Sequence, residues 1–339
     1  MAFSTAAAEA TAPEAPKMGL EAIFDLVADD FARINQLIPR QLSSGVEMVE
    51  EIGRYIVEGG GKRLRPLIVL LTARACAYKG GDHIRLATII EFLHTATLLH
   101  DDVVDNSSRR RGRATANALW GNAPSVLVGD FLYSRGFQLM VELDSMDIMA
   151  IISDATNLIA EGEVMQLASI GRTAMTEQEY LEVVRRKTAM LFQAAAHTGA
   201  VLCSEDNDVI DALRRYGLHF GMAYQLVDDW LDYAGDSDVM GKNRGDDLAE
   251  GKVTLPLIHT MANGHGRHST LVRRAIDARS AADFPSVAHA VHRSGGLDYT
   301  KDRAVEEAFL ASEEILALPP SPYRDALEAL AMVAVSRMA

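Results

Sequence analysis

Apolar residues recur at three- and four-residue steps along the chain from about Leu20 onward, and this spacing constrains the fold more than any other sequence feature. Ile23, Phe31 and Ile34 show the pattern near its start. Residues at these steps lie on one face of an amphipathic helix. No run of alternating polar and apolar residues predicts a convincing strand. The pattern therefore predicts an all-α fold.

Glycine and proline residues divide the chain into predicted helices. Pro39 is expected to interrupt the helical pattern, and the glycines at 59–61 are expected to form a loop. Long helices are predicted over 83–106, 123–144, 148–170, 176–203 and 206–233. With 339 residues, 48% of them hydrophobic, the chain has enough apolar material for a sizeable core. We predict a single domain over residues 19–339, a many-helix bundle around a central cavity, after a disordered tail over residues 1–18.

Charge and cysteine usage limit the classes of function. A formal net charge of −14 argues against nucleic-acid binding. The most apolar run, Pro66–Ala77, contains Arg74 and is shorter than the roughly 20 residues of a membrane-spanning helix. Cys76 and Cys203 lie in apolar helical surroundings and are predicted to be reduced thiols. We therefore expect a cytoplasmic protein without a transmembrane segment.

An Asp-Asp-x-x-Asp cluster lies near the end of the predicted helix over 83–106. Asp101 and Asp105 are four residues apart on one helix face, with Asp102 to one side. Like charges repel at this spacing, and the C-terminal end of a helix disfavours anions. Mg²⁺ prefers such oxygen ligands and shares phosphate oxygens. For this cluster alone, a magnesium site and a solvated acidic surface are equally good interpretations.

A second cluster changes that balance. Asp228, Asp229 and Asp232 repeat the spacing on a helix whose neighbouring residues are strongly apolar. The same electrostatic cost is therefore present twice. Two such clusters in one helical chain are hard to explain as solvated surface, so the pair predicts a shared metal site.

Basic residues follow the glycine loop and both acidic clusters. They are Lys62, Arg63, Arg65, the Arg109–Arg113 segment, Lys242, Arg244 and Lys252. Arginine offers a planar fork to phosphate, and glycine loops expose backbone N–H groups. In an acidic protein, cations beside carboxylates indicate a site for a metal-bridged phosphate.

These segments, taken in order, resemble the trans-type (all-E) polyprenyl diphosphate synthase family. The similar stretches are Gly60–Pro66, Glu91–Asp105, Arg110–Gly112 and Gly221–Lys252. They are most similar to the bacterial long-chain branch that makes octaprenyl, nonaprenyl or decaprenyl diphosphate. The resemblance implies the isoprenoid synthase fold. It also implies head-to-tail condensation of isopentenyl diphosphate onto an allylic diphosphate, with farnesyl diphosphate as the expected primer and a quinone side chain as the expected use of the product.

The resemblance implies roles for individual residues. Asp101 and Asp105 would bind two Mg²⁺ ions, with Asp102 orienting them. Asp228 would bind a third ion, with Asp229 and Asp232 acting partly through water, and Mn²⁺ is an alternative metal. The allylic diphosphate is expected at Arg110, Lys187, Lys242 and Lys252, and isopentenyl diphosphate at Lys62, Arg65, His94 and Arg111. Thr188 and Gln225 would line the reacting carbons.

The family chemistry explains why the sequence offers no dedicated base. Three Mg²⁺ ions and the basic side chains would neutralise the departing diphosphate, so that the allylic C–O bond ionises. The double bond of isopentenyl diphosphate would then attack the cation, and the released diphosphate would take the proton. From the residues alone, His94 would more often be a satisfied core histidine, and Lys187 could equally extend to the surface.

The growing chain needs an apolar tunnel. Thr97, Leu93 and Ile90 precede Asp101 on its helix face, and Ala96 is close by. In short-chain relatives of the family, bulky aromatic residues near the motif stop growth, whereas Ala96 and Thr97 are small. We expect a product of about eight to ten isoprene units, about C40–C50, because the apolar tail can extend past them.

Other functions use similar motifs. A class I terpene cyclase or a squalene-type synthase also has aspartate-rich helices, but a cyclase usually carries an Asn/Asp, Ser/Thr, Glu triad as its second motif. A non-catalytic partner subunit typically loses aspartates from one motif, whereas this chain keeps all six.

The resemblance implies a homodimer, for which the helix Ala123–Met140 would suit the interface or equally a buried core. Product delivery to membrane enzymes is expected, and peripheral membrane attachment is left open.

Overall fold

Helices account for nearly all of the regular structure in the computed structural model, which describes residues 18–203, 206–234 and 244–338. In chain order the helices are α1 (Leu20–Asp25), α2 (Ala28–Leu42), α3 (Glu47–Glu58), α4 (Leu64–Ala75), α5 (Asp82–Val104), α6 (Ala116–Trp120), α7 (Asn122–Glu142), α8 (Met146–Ser169), α9 (Glu177–Val184), α10 (Met190–Val201), α11 (Asn207–Ala234), α12 (Asp246–Ala249), α13 (Leu255–Asn263), α14 (Gly266–Ala278), α15 (Phe284–Arg293), α16 (Gly296–Glu314) and α17 (Pro322–Ser336). Short 3₁₀ turns cover Ala281–Asp283 and Ile315–Ala317. The predicted all-α fold is confirmed.

The helix ends follow local sequence signals. A capping box starts α9, because Thr176 accepts from the Glu179 backbone N–H while the Glu179 carboxylate accepts from the Thr176 N–H. Ser145 and Ser321 cap α8 and α17 in the same simple way, by accepting from a backbone N–H three residues later. Four of the five long helices predicted from periodicity form with ends shifted by only a few residues, and the fifth, predicted over 176–203, forms as α9 and α10 with a π-helical turn between them.

Two local expectations need correction. Pro39 does not interrupt the chain: it lies inside α2, which continues to Leu42. The missing N–H removes a single helical hydrogen bond so close to the helix end that the last turn still forms. A short hairpin also forms where no strand was expected, with β1 (Arg109–Arg110) paired antiparallel to β2 (Arg113–Ala114).

The core surrounds α5, which is buried on nearly every turn from His83 to Asp102. Helices α4 and α10 pack against α5, and α11 packs against α10 and α16. One hydrophobic cluster fills the N-terminal part of the bundle, and a second lies around the C-terminal half of α11. This packing brings the C-terminal halves of α5 and α11, and thus both acidic clusters, to the same end of the bundle.

A break in regular geometry separates α9 from α10. Residues Arg185–Ala189 form a π-helical turn, which includes Lys187 and Thr188. The sequence predicted one uninterrupted helix here. π-turns insert an extra residue into a helix and are frequent at functional sites.

The predicted tail, residues 1–18, lies outside the described residues except for Met18, which is partly buried against the first core cluster. None of the helices in the described ranges has both the length and the apolar composition needed to cross a membrane.

Candidate active site

The first acidic cluster occupies the end of α5. Asp102 is only 1% exposed, and its Oδ1 accepts from Arg110 Nε at 2.9 Å and Nη2 at 2.8 Å. Asp101 and Asp105 remain partly exposed. Burial raises the pKa of Asp101, with a further upward contribution from the nearby Asp105 charge. The predicted division, with Asp101 and Asp105 on one side and Asp102 on another, is confirmed.

The second cluster lies on the last turns of α11. Asp229 is buried and accepts hydrogen bonds from Tyr180 Oη and from Gln225 Nε2, the latter at 2.7 Å. Asp232 is fully buried, whereas Asp228 is partly exposed. Asp228 is therefore the most exposed carboxylate of this cluster.

Lys252 lines a cleft beside Asp229 of the second cluster and reaches Asp105 of the first. Lys252 Nζ donates to Asp105 Oδ2 at 3.1 Å and lies 2.5 Å from Glu250. Burial would lower the pKa of Lys252, but the carboxylates of Asp247, Asp105 and Glu250 outweigh burial and raise it. A cleft of about 610 Å³ is lined by residues of both halves of the chain, including Lys187, Thr188, Gln225, Asp229 and Lys252.

Lys187 and Thr188 point to different neighbouring helices. Lys187 Nζ donates to Glu163 at 2.6 Å and to Gln166 at 2.7 Å, both on α8. Thr188 Oγ1 donates to Gln225 Oε1 on α11 at 2.9 Å. Both side chains therefore face the cleft, and the alternative of a Lys187 extended to the surface is wrong.

A second pocket, of about 370 Å³, adjoins the first acidic helix. It collects Lys62, Arg65, His94 and Arg111, the four residues expected to bind isopentenyl diphosphate. Arg65 lies 4.1 Å from the centre of the Phe192 ring, a cation–π contact. Burial lowers the pKa of Arg65 to about 10, so the guanidinium stays charged at neutral pH. Burial also lowers the pKa of Lys62.

His94 lies in this pocket as a neutral side chain. Its pKa is well below the usual range because burial disfavours the imidazolium, and nearby arginines add to the effect. His94 Nε2 is 3.2 Å from Arg65 Nη1. Arginine can only donate, so Nε2 accepts and the proton resides on Nδ1. His94 can thus donate a hydrogen bond but adds no positive charge.

Arg111 reaches the pocket through a strained turn. Arg111 and Gly112 form the two-residue loop of the β1–β2 hairpin, with φ values of 53° and 75°. Positive φ at both positions defines a type I′ turn, which costs energy at a non-glycine residue. The Arg111 guanidinium donates to the Gly60 carbonyl. A Cβ at Gly61 would overlap the Arg111 guanidinium where it now lies, and Gly61 has a φ of 139°, a backbone conformation that favours glycine.

The proposed tunnel residues have a different environment. Ile90, Leu93 and Ala96 are almost completely buried in the first core cluster, and Thr97 is partly buried with its hydroxyl donating to the His94 carbonyl. They line neither of the two clefts described above. The tunnel therefore stays a prediction. Lys242 lies outside the described residues.

The acidic residues suit a hydrated divalent cation. Among the described residues, no three His, Cys, Asp or Glu side chains form a ready metal cage. Mg²⁺ does not need one, because it keeps several waters and uses one or two carboxylates together with substrate phosphates. Burial raises the pKa of Asp101, and the neighbouring Asp105 charge raises it further, so a bound cation would stabilise the ionised carboxylates. The donor set therefore fits magnesium.

Several residues at the site escaped sequence analysis. Glu91 lines the second pocket, and its carboxylate lies 3.8 Å from Arg63. Arg337, near the chain end, donates to Asp228 Oδ1 at 3.0 Å. Tyr180 and Glu163 hold Asp229 and Lys187. Only Glu91 had a sequence signal: an acidic residue in an apolar helix, three positions before His94 and on the same face.

The comparisons with known proteins agree with this geometry. The family model described as polyprenyl synthetase matches residues 46–292. The chain belongs to the polyprenyl synthetase family. It is 48% identical over 321 residues to an octaprenyl diphosphate synthase of Escherichia coli, covering 94% of this chain and 99% of that protein. It is 47% identical over 313 residues to an all-trans-nonaprenyl-diphosphate synthase of Rhodobacter capsulatus, covering 92% and 96%.

Solved structures of this family have the same fold. A polyprenyl synthase from Caulobacter crescentus, complexed with calcium and isoprenyl diphosphate, superposes with a TM-score of 0.91 at 44% identity and covers 95% of this chain and 98% of that one. A decaprenyl diphosphate synthase from Rhodobacter capsulatus gives a TM-score of 0.89 at 41% identity, covering 94% and 99%. The predicted family, fold and enzyme class are thus confirmed. This polyprenyl synthetase is a prenyltransferase of isoprenyl diphosphates.

Proposed function

We propose that the enzyme adds isopentenyl diphosphate repeatedly to an allylic diphosphate and releases an all-trans product of about C40–C50, suited to a quinone side chain. The observation that carries the proposal is a pair of sites: a cleft between α8, the π-turn and α11, whose Lys252 donates to Asp105 at the end of α5, and a separate pocket that gathers Lys62, Arg65, His94 and Arg111. One site suits a diphosphate that leaves with metal ions, and the other suits a diphosphate that stays intact. The long-chain synthases among the relatives support the product class.

The acidic residues have a proposed role in metal binding. Asp101 and Asp105 on α5, and Asp228 with Asp232 on α11, would hold three Mg²⁺ ions, with Mn²⁺ as an alternative. When bound, these ions would neutralise the negative charge that develops on the departing diphosphate. Asp102 accepts from Arg110 and so fixes the position of its guanidinium. Tyr180 and Gln225 donate to Asp229 and fix the position of its carboxylate.

The basic residues divide between the two substrates. Arg110, Lys187, Lys242 and Lys252 would hold the allylic diphosphate. Lys62, Arg65, His94 and Arg111 would hold isopentenyl diphosphate, His94 as a neutral donor through Nδ1. Thr188 and Gln225, already hydrogen-bonded to each other at 2.9 Å, would lie beside the reacting carbons. Positioning and charge neutralisation are then the work of these side chains.

A product assay tests the activity. Purified protein should convert farnesyl diphosphate, isopentenyl diphosphate and Mg²⁺ into polyprenyl alcohols, recovered after phosphatase treatment, with masses of C40–C50. Asp101→Asn should abolish turnover, whereas Asp277→Asn, at an exposed position of α14, should not change it. Products no longer than C20, or none from the wild-type enzyme, would contradict the proposal. Geranyl diphosphate in parallel identifies the preferred primer.

A homodimer is proposed from an apolar stripe on the outside of α7 and α8. Leu127 and Val141 on α7 are 65% and 68% exposed, and Val164 on α8 is 65% exposed. Leu127 and Val141 are 14 positions apart and share one helix face. Large apolar side chains left this exposed are candidates for contact with a second copy of the chain. Analytical ultracentrifugation should find a dimer that dissociates in Leu127→Glu/Val141→Glu but persists in Leu316→Glu, which changes an equally exposed leucine elsewhere.

The remaining proposals concern domain limits and location. We propose that residues 19–339 form the complete catalytic domain, so that removing residues 1–18 leaves turnover unchanged. We propose a cytoplasmic enzyme that passes its product to membrane enzymes, with peripheral attachment to the membrane as the open point. Cell fractionation with a salt wash tests this: an enzyme that pellets with membranes and resists the wash would contradict a purely cytoplasmic location.

A further inference from the structure

The π-helical turn Arg185–Ala189 is confined between two glycines. On one side lies Gly162 of α8: a Cβ at this position would lie 2.7 Å from the Lys187 backbone nitrogen and 2.8 Å from Arg186 Cβ. Carbon atoms do not approach a backbone nitrogen this closely without displacement. Helix α8 therefore contacts the backbone of the π-turn directly, and any side chain at position 162 would push the two apart.

On the other side lies Gly221 of α11. A Cβ there would lie 2.5 Å from Ala189 Cα and 2.9 Å from Ala189 Cβ. Both contacts are with atoms that cannot rotate away, since they belong to the backbone or are attached to it directly. The π-turn is thus fixed from two directions by helices that approach it closely at a glycine.

Each flanking helix also supplies a polar partner for a cleft residue. Helix α8 provides Glu163, directly after Gly162, which accepts from Lys187 at 2.6 Å. Helix α11 provides Gln225, one turn after Gly221, which accepts from Thr188 at 2.9 Å. Helices α8 and α11 therefore each supply one glycine that contacts the π-turn and one side chain that accepts a hydrogen bond from it. The arrangement fixes where the consecutive side chains of Lys187 and Thr188 lie in the cleft.

We propose that Gly162 and Gly221 are positioning residues for prenyl transfer, because they allow the π-turn to present Lys187 and Thr188 to the allylic substrate. Glycine in a helix interior is destabilising relative to alanine, so a function at these positions offsets a cost in stability. The inference rests on the proposed function, because it assigns Lys187 and Thr188 to the site of the allylic diphosphate.

The test compares Gly162→Ala and Gly221→Ala with Gly53→Ala. Gly53, on α3 away from both pockets, is also tight, but its neighbour is the flexible end of Leu42 at 2.9 Å. We expect kcat to fall by about tenfold or more in both site variants, because displacements of about 1 Å at a reacting centre are enough for such losses. KM for isopentenyl diphosphate should stay within twofold, and Gly53→Ala should behave as the wild type.

Double variants separate positioning from packing. In a Lys187→Ala background, Gly162→Ala should cause little further loss of kcat, and Gly221→Ala should behave likewise in a Thr188→Ala background. Additive losses would overturn the inference. So would an unchanged kcat in the single variants, or loss of their cooperative thermal transition while Lys187→Ala retains it. Absence of turnover by the wild type would instead refute the proposed function.

Discussion

Lys252 Nζ lies 3.1 Å from Asp105 Oδ2, although the two residues are 147 positions apart in the sequence. The contact joins the loop after the second acidic helix to the end of the first. It places Asp105 of the first cluster beside Lys252, which lines the same cleft as Asp229 of the second.

Replacing Lys252 with alanine should weaken the allylic site. The change removes a charge-assisted hydrogen bond, a contribution of about 1.5–3 kcal/mol, so kcat/KM for the allylic diphosphate should fall by about 10- to 100-fold. KM for isopentenyl diphosphate should change little. Steady-state kinetics measures both, with Lys79→Ala, at an exposed position, as the control. Equal effects on both substrates would place Lys252 between the two sites.

Bulky residues at the predicted tunnel should shorten the product. Ala96→Phe and Thr97→Phe would close the space along α5 that the tail needs, so mass analysis should show a shift to chains below C40. Ala96 is fully buried, so its replacement also risks overpacking by about 1–3 kcal/mol, and the melting temperature should be recorded alongside. Ala262→Phe, at an exposed position, is the control. Unchanged length in folded variants would remove the tunnel from this face of α5.

Tyr180→Phe should disturb the second cluster without unfolding the protein. Tyr180 is buried and donates to Asp229, so its loss leaves a buried carboxylate short of one donor, at a cost of about 1–3 kcal/mol. Turnover should fall because Asp229 is then free to rotate away from its position behind Asp228. Calorimetry and kinetics together measure the two effects. Tyr323→Phe, on α17, provides a matched loss of one hydroxyl. A loss of stability with full activity would make Tyr180 a packing residue only.

Acidification should destabilise the enzyme through His83. This residue is fully buried, with Nε2 3.1 Å from Asp30, and burial lowers its pKa below 6.5. The folded state therefore binds fewer protons than the unfolded state just below pH 6.5, and stability falls as the pH drops through that window. His83→Gln should flatten the dependence of melting temperature on pH between 7 and 5, whereas His292→Gln, which is exposed, should not.

The ion pair of Asp30 with Arg74, beside His83, should contribute more to the free energy of unfolding than an exposed pair does. Asp30 is 3% exposed and accepts from Arg74 Nε at 2.7 Å and Nη2 at 2.6 Å. Asp30→Asn should destabilise the fold by about 3 kcal/mol, because it breaks a largely buried pair. Asp325→Asn, which breaks an exposed pair with Arg324, should cost less than about 1 kcal/mol. Denaturant unfolding measures both, and equal costs would contradict the importance of burial.

Sequence alone determined the helices, the family and the two acidic clusters. Periodicity fixes which residues share a helix face, so Asp101 and Asp105 could be placed together and Asp102 apart without a structure. These are local properties, set by residues a few positions apart. The glycine loop before α4 was equally local, and it also formed as predicted.

Only the tertiary structure decided the contacts between distant segments. Three contacts join segments that are far apart in the sequence: Arg337 with Asp228, Tyr180 with Asp229, and the two glycines with the π-turn. The hairpin and the continuation of α2 through Pro39 were also missed: each strand of the hairpin has only two residues, and Pro39 lies so close to the end of α2 that it removes a single hydrogen bond. Helix spacing shows which face a residue occupies. The packing of the helices determines which distant residues that face contacts.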